Sequence, residues 1–509
     1  MLSKVLAGGT ADGRMDLMQH DAPSRSATIA ILVMILVAIV TLAESAYLGI
    51  NGAHAFRQAD AYSHILGALH ARGLSPFQLF IAREPWGSHA VFDLPLYEYG
   101  AALVSGLLKK DPLVAARYVN ILLWLISAYA GYRLALQTGK NFSGLFFLVL
   151  FSASPLFLHY FAAPLPDNLA IALSAAGTIL LLRDKMRKRD IITSILLLAA
   201  ASAVKSPIPF IFLTFTACHL LLSWNRREKT LSQMVSSKRG VLIVFVASLI
   251  LVAAIEIVRQ KLGEAHGART GHIWTWYFGS LEMRLGRPFW TMMASRFNEW
   301  LPPVFLWIFI MLSGASLIAR RGMAQIACAL IPLLAGWLVF SNTYFLHDYY
   351  QLPVAYIVFV CTGAMAGHLL EPLAQRQWPL MAAVPSVLAA LFLLQVRAEK
   401  SLSVKSRTDF VRASEYAALK SDRVLVVTAE GITDDLTAIG GLLSTKLETV
   451  SPQDFETGCK RYLYNYSAVL LRNVNSNCIQ AHKNTALYYA EESPFVFFRH
   501  EPQGSSISP

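Results

Sequence analysis

The sequence predicts a mainly α, polytopic membrane protein that ends in a small α/β domain. Three observations carry that expectation. Of 509 residues, 55% are apolar and 15% charged, more apolar surface than a water-soluble chain of this length can hide. The apolar residues gather in long runs separated by short polar loops. After Val396 the composition changes to an ordinary soluble mixture. The net charge of +12 is concentrated in short loops between the runs, as orientation signals are, and that distribution argues against a nucleic-acid partner.

The elements follow in order. Residues 1–26 form a tail. Ala27–Leu48 is too long for a signal-peptide core and no small-residue cleavage site follows it, so it reads as a span that is kept. About eleven spans are expected, at 27–48, 113–136, 142–160, 166–183, 190–204, 207–224, 240–258, 301–319, 324–341, 351–370 and 378–396. Lys and Arg fill the turns at 183–189, 226–239 and 320–321, whereas the alternate loops at 161–165 and 342–350 carry neither. The positive-inside rule then puts the N-terminal tail in the cytoplasm and residues 397–509 outside it.

Two outer loops are long. The first, 49–112, holds a second apolar stretch, Leu94–Leu108, too short to span and expected to lie at the outer interface. The second, 259–300, interleaves Trp274, Trp276, Trp290 and Trp300 with Arg269, Arg284, Arg287 and Arg296. Such a mixture suits the headgroup region, either as an anchor or as a flap over a lipid-linked substrate. In the last domain, Arg423–Thr428, Ser467–Arg472 and Phe495–Arg499 read as strands and Leu436–Leu443 as a helix start. Cys218, Cys328 and Cys361 fall inside spans as small apolar residues. Cys459 and Cys478 stand in the exported domain, where they either pair or remain thiols.

Chemistry-bearing residues converge on the outer face. Asp60 is accompanied by His54, Arg57, Tyr62 and His64, and further along the same loop come Glu84 and Asp93. Pro166-Asp167-Asn168 opens the fourth span, Lys205 sits in the turn between the fifth and sixth, and His347-Asp348-Tyr349-Tyr350 precedes the tenth. Plainer roles exist for each: Asp167 as a helix cap, Lys205 as a snorkelling cation, His347 and the tyrosines as interfacial aromatics. Capping does not account for the basic and aromatic company of Asp60, and ionisable groups so near a bilayer are functional candidates by default. A carboxylate can deprotonate an acceptor hydroxyl. Arg57, Lys205 and tyrosine hydroxyls can hold a phosphate and stabilise it as a leaving group. Together they describe transfer of a group from a lipid phosphate to an acceptor outside the cytoplasm. Asp60, Glu84 and Asp93 also form a weak set of hard oxygen ligands for Mg²⁺ or Mn²⁺, without tight metal-ligand spacing.

In this order the motifs resemble the GT-C membrane glycosyltransferases, in particular bacterial relatives of protein O-mannosyltransferases and of the lipid A aminoarabinose transferase (glycosyltransferase family 39-like). The resemblance covers about residues 27–370. Phe56-Arg57-Gln58-Ala59-Asp60, Phe92-Asp93-Leu94-Pro95-Leu96-Tyr97, Ser154-Pro155-Leu156 with Pro166-Asp167-Asn168-Leu169, Val204-Lys205-Ser206-Pro207 and His347 to Pro353 carry it. It implies a multi-pass enzyme of the bacterial inner membrane with a GT-C domain over 27–396. That enzyme would move one sugar, with inversion, from a polyprenyl-phosphate donor to a periplasmic glycan, lipid or protein acceptor. It further implies Asp60 as general base, Asp93 and Asp167 as companion carboxylates, and Arg57, Lys205, His347, Tyr349 and Tyr350 as contacts to the donor phosphate. Some relatives carry Glu-Lys-Pro-Pro where this chain has Asp93-Leu94-Pro95-Leu96, so one phosphate-binding lysine is missing. The rival expectation is a transporter or flippase for lipid-linked sugars, which calls for internal repeats, broken spans and mid-membrane charges.

Overall fold

The computed structural model describes residues 94–140, 142–183, 187–225, 277–300 and 303–370. It also describes strands at 81–83, 89–91, 423–427, 468–472 and 495–499, the segment 446–458, and scattered positions within 32–69 and 243–261. Expected spans 27–48 and 240–258 are described only in part. The span at 378–396, the helix start at 436–443 and Cys459 and Cys478 lie outside the described residues.

In the first long loop, β1 (Ile81–Arg83) and β2 (His89–Val91) form a short antiparallel hairpin that pairs Ile81 with Val91. Helix α1 (Leu96–Leu108) follows at the apolar stretch read from the sequence. It buries Tyr97, Glu98, Ala101, Ala102 and Ser105 on the face toward the next helix and leaves Leu103 and Leu107 exposed. Burial and then the Glu98 carboxylate push the Tyr99 phenol from 10.0 to about 12. The unfolded chain therefore ionises first, and stability present below pH 10 should be lost as pH rises toward 12. Alkaline melts of detergent-solubilised protein should show that decline flattened in Tyr99→Phe.

Helix α2 (Pro112–Thr138) starts with Pro112 in its first turn and with Asp111 accepting from the Leu113 and Val114 amides at 2.8 and 3.3 Å. The expected span 142–160 is not continuous. It is α3 (Ser143–Ala153) and α4 (Pro155–Ala162), bent by 62°. Pro155 supplies no amide and pushes Ser154 out of the helical region, to φ −74° and ψ 122°. Next come α5 (Asp167–Leu181), α6 (Lys188–Lys205) and α7 (Pro207–Asn225). The basic turn before α6 is tied down by Asp190, which accepts from the Arg187 amide at 3.0 Å and pairs with Arg183 at 2.8 Å.

The loop at 259–300 contains helices that composition concealed: α8 (Leu281–Leu285) and α9 (Arg287–Trp300). After them run α10 (Pro303–Ala319), α11 (Met323–Val339), α12 (Ser341–Leu346), a 3-10 turn at Asp348–Tyr350, and α13, which continues from it to Leu370. Among the described residues, Pro112–Thr138 and Asp348–Leu370 are long and apolar enough to cross a membrane, and α3 with α4 makes a third if the bent pair is one span. Shorter apolar helices occupy Asp167–Leu181, Pro207–Leu222, Leu306–Ala319 and Met323–Val339. The chain is a helical membrane protein.

Its core is aromatic. Phe151 packs on Phe157 at 4.6 Å and on Trp124 at 5.5 Å, and Tyr356 donates from its hydroxyl to the Ser127 carbonyl at 2.6 Å. Cys218, Cys328 and Cys361 are buried, as small apolar residues are. Close helix approach uses the pair Gly363 and Gly367, spaced as small residues are where membrane helices touch. A Cβ at Gly363 would stand 2.5 Å from the Ser143 carbonyl oxygen, and one at Gly367 would collide with the Ser143 hydroxyl. Gly367→Val should therefore lower thermal stability in detergent by about 1–3 kcal/mol. Gly100→Ala, with open space around it, should be neutral or stabilising by about 0.5–1 kcal/mol.

The C-terminal part contains a four-stranded sheet in the order β4–β3–β5–β6. Here β3 (Arg423–Val427) is parallel to both β4 (Lys446–Val450) and β5 (Ala468–Arg472), and β6 (Phe495–Arg499) runs antiparallel to β5. A short helix, α14 (Pro452–Thr457), follows β4, capped by Ser451. Three of these strands coincide with those read from the sequence; β4 was not read.

Candidate active site

The hairpin α5–α6 sets the site's level. Its register is fixed where the Ser194 hydroxyl donates to the Gly177 carbonyl at 2.6 Å. Asp167 stands ten residues before Gly177, and Lys205 eleven after Ser194, so the two reach the same end of the antiparallel pair. Pro166 occupies the cap position of α5 and makes no side-chain cap. Asp167 is thus the first helical residue, at 0% exposure, rather than a solvated cap. Its charge still complements the positive end of α5.

Lys205 does not extend to the surface. It is 4% exposed, and its Nζ stands 5.4 Å from the centre of the Tyr350 ring. A buried ammonium over an aromatic face gains cation–π attraction, and its three donors suit it to an anion. Tyr350 belongs to a ring cluster built by the 3-10 turn: it lies 4.8 Å from Tyr349, and Tyr349 stacks on His347 at 5.2 Å. Tyr344 adds a second phenol 6.0 Å from Tyr350, and burial raises its pKa, so it remains a neutral donor at working pH. Lys205, His347, Tyr349 and Tyr350, named separately from the sequence, are therefore in one place.

The first loop reaches the same place. The Leu94 amide donates to the Ala203 carbonyl at 2.8 Å, two residues before Lys205. Gln58, Ala61 and Ile65 are buried at helical spacing, and Ile65 belongs to the main core. Arg57, Asp60, Glu84 and Asp93 themselves lie outside the described residues, so the geometry of the expected base and of the weak metal set is not given. Among the described residues, no group of three or more His, Cys, Asp and Glu is arranged to hold a metal ion.

Tyr160, Arg117 and Asn120 were not read from the sequence, and Arg296, Gln351 and Asn168 were quoted there without these contacts. Tyr160, near the end of α4, sets its ring 6.2 Å from Tyr349 and faces the Asp348 carboxylate, with Arg296 also within electrostatic reach. Arg296 comes from α9 and donates to the Phe345 carbonyl at 2.8 Å, which ties α9 to the segment just before the 347–350 turn. Gln351 accepts from the Trp337 indole at 3.0 Å and so anchors α13 to α11. On the other side of Tyr160, Arg117, Asn120 and Asn168 are buried at 2%, 0% and 0% exposure. An arginine inside an apolar run was the available signal for Arg117.

Chemically, the cluster offers a buried ammonium, phenols and a carboxylate gathered at one end of the bundle. Such groups bind an anion and neutralise charge that grows on it.

No protein-family model matches the sequence, and no curated protein matches it. Solved structures share the fold. Over 94% of this chain and 98% of the other, it superimposes on ArnT from Cupriavidus metallidurans bound to undecaprenyl phosphate, with 12% identity and a TM-score of 0.60. The apo form of ArnT gives 12% identity and 0.51 over 93% and 98% of the two chains. The arabinofuranosyltransferase AftD from Mycobacteria gives 14% identity and 0.50, over 93% of this chain and 40% of that one.

Proposed function

We propose that this chain, whose fold is that of the GT-C membrane glycosyltransferases, is itself a glycosyltransferase using a polyprenyl-phosphate-linked sugar. The observation that carries the reading is the buried Lys205 ammonium over the ring of Tyr350, at the same level as Asp167, with Tyr350 in turn packed with His347 and Tyr349. A lipid phosphate is an anion of the kind such a cluster would accept, and ArnT of the same fold was crystallised with undecaprenyl phosphate.

In this reading Asp60 takes the proton of an acceptor hydroxyl as its oxygen attacks the anomeric carbon. The bond from that carbon to the phosphate oxygen breaks, and the phosphate leaves with the electron pair. Attack from the face opposite the phosphate inverts the centre. Lys205 and Arg57 neutralise the departing charge, with hydrogen bonds from Tyr349, Tyr350 and His347. Asp93 and Asp167 hold sugar or acceptor hydroxyls. A divalent Mg²⁺ or Mn²⁺ at Asp60, Glu84 and Asp93 would supply further charge. The N-terminus lies in the cytoplasm, and the site and residues 397–509 lie in the periplasm of a bacterial inner membrane. The acceptor is a periplasmic glycan, lipid or protein.

One observation favours a different class. The break between α3 and α4 is the kind of interrupted span that transporters use. Purified protein incubated with a panel of undecaprenyl-phosphate sugars and acceptors separates the two. An enzyme releases undecaprenyl phosphate; a flippase moves intact donor across proteoliposomes and releases none. Absence of release with every donor and acceptor, alongside donor movement, would overturn the enzyme.

A further inference from the structure

Helix α4 is eight residues long, and its C-terminal carbonyls are held by side chains from two other helices. Arg117 of α2 donates from Nε to the Ala162 carbonyl at 3.2 Å, and Asn120 of α2 from Nδ2 to the Ala163 carbonyl at 2.5 Å. Asn168 of α5 donates from Nδ2 to the Tyr160 carbonyl at 3.0 Å and to the Ala163 carbonyl at 3.5 Å. Ending a helix does not demand this much. The free carbonyls of a last turn are ordinarily met by a glycine cap, by tighter turns or by water. A guanidinium buried within a bundle is expensive and marks a position with a job to do.

What the clamp holds is the approach to the site from two sides. Tyr160, whose carbonyl Asn168 takes, carries the ring that meets Tyr349, and from Tyr349 the contacts run to Tyr350 and Lys205. Asp167 is the residue immediately before Asn168 and is reached through the short turn after Ala163. The Arg117 charge also sits at the negative end of α4, where a cation is favoured. Tyr97 donates to the carbonyl of Ala116, next to Arg117, at 3.1 Å.

We propose that Arg117, Asn120 and Asn168 are positioning residues of the donor site. They touch no donor; they fix the direction in which α4 ends, and with it the places of Tyr160 and Asp167. This rests on the donor reading above. A shift of about 1 Å in such groups can cost about a hundredfold in a reaction, and binding of the donor phosphate should fall at least tenfold.

The test uses the full-length protein in detergent with undecaprenyl phosphate as the probe, bound to the folded species and followed by native mass spectrometry. Hydrogen–deuterium exchange of the amides at 163–169 is measured in parallel without probe. Arg117→Met and Asn168→Leu should weaken binding about tenfold or more and speed exchange at 163–169. Arg117→Lys, which keeps a charged donor, should restore most of both. Folded variants that bind as tightly as wild type would reduce the clamp to a structural device and overturn the proposal. Unchanged exchange at 163–169 would overturn it as well. Should wild type fail to bind undecaprenyl phosphate, the donor reading falls, and the clamp stands or falls on the exchange alone.

Discussion

Asp60→Asn should lower sugar transfer by a factor of about 10²–10⁴, the usual contribution of a positioned general base. The substitution keeps the size and most hydrogen-bonding capacity of the side chain but removes its ability to take a proton. Donor binding should therefore survive while turnover falls. The measurement is release of undecaprenyl phosphate from the donor that wild type uses, together with donor affinity for both proteins. If the Asp60→Asn protein turns over at the wild-type rate, the proton goes elsewhere. If it loses donor binding in equal measure, Asp60 belongs to binding or to metal retention instead.

Lys205→Met should act on the opposite quantity. Methionine keeps much of the apolar stem and its packing under Tyr350 but removes the charge. The loss of one charged contact to a phosphate in a dry site is worth a factor of about 10²–10³, and it should appear in affinity for undecaprenyl phosphate as well as in turnover. The thermal melt is recorded in parallel, because removing a buried cation also removes its cation–π contact with Tyr350. The two readouts together are decisive. Weaker binding by protein that is still folded at the assay temperature supports the donor site. Unchanged binding would mean that the Lys205 ammonium over Tyr350 is only a packing feature.

Among the described residues, helices were legible where an apolar run was bounded by charge or proline. Asp111-Pro112 and Lys205-Ser206-Pro207 mark helix boundaries in sequence and in structure alike. The break at Ser154–Pro155 was visible as a motif but was absorbed into one span, because apolarity continues across it and hydropathy does not register backbone geometry. In α9, Phe289, Met293, Arg296 and Phe297 follow a helical period, yet the mixture of tryptophans and arginines suggested a loop. The β1–β2 hairpin has three-residue strands, too short for alternation to show.

The site was legible by residue type and not by partnership. Lys205 and Tyr350 could each be singled out as polar groups at span ends, but their contact joins positions far apart in sequence. Tyr160 lies in an apolar helix and has no local signal; only the fold sets it against Asp348 and Tyr349. Asn168 was quoted as part of a motif, and its actual task, holding two carbonyls of the preceding helix, depends on the bend that was not foreseen.

The Lys205–Tyr350 contact also bears on the order of synthesis. Lys205 and Asp167 leave the ribosome long before the turn at 347–350 exists, so during insertion the first half of the chain carries two ionisable groups that the finished fold buries, Lys205 without the Tyr350 ring that later meets it. A nascent chain arrested between α7 and α10 is expected to hold those groups in contact with water or with an insertion factor. The completed bundle then assembles from two successive halves, and the 347–350 turn, arriving late, brings the Tyr350 ring against Lys205.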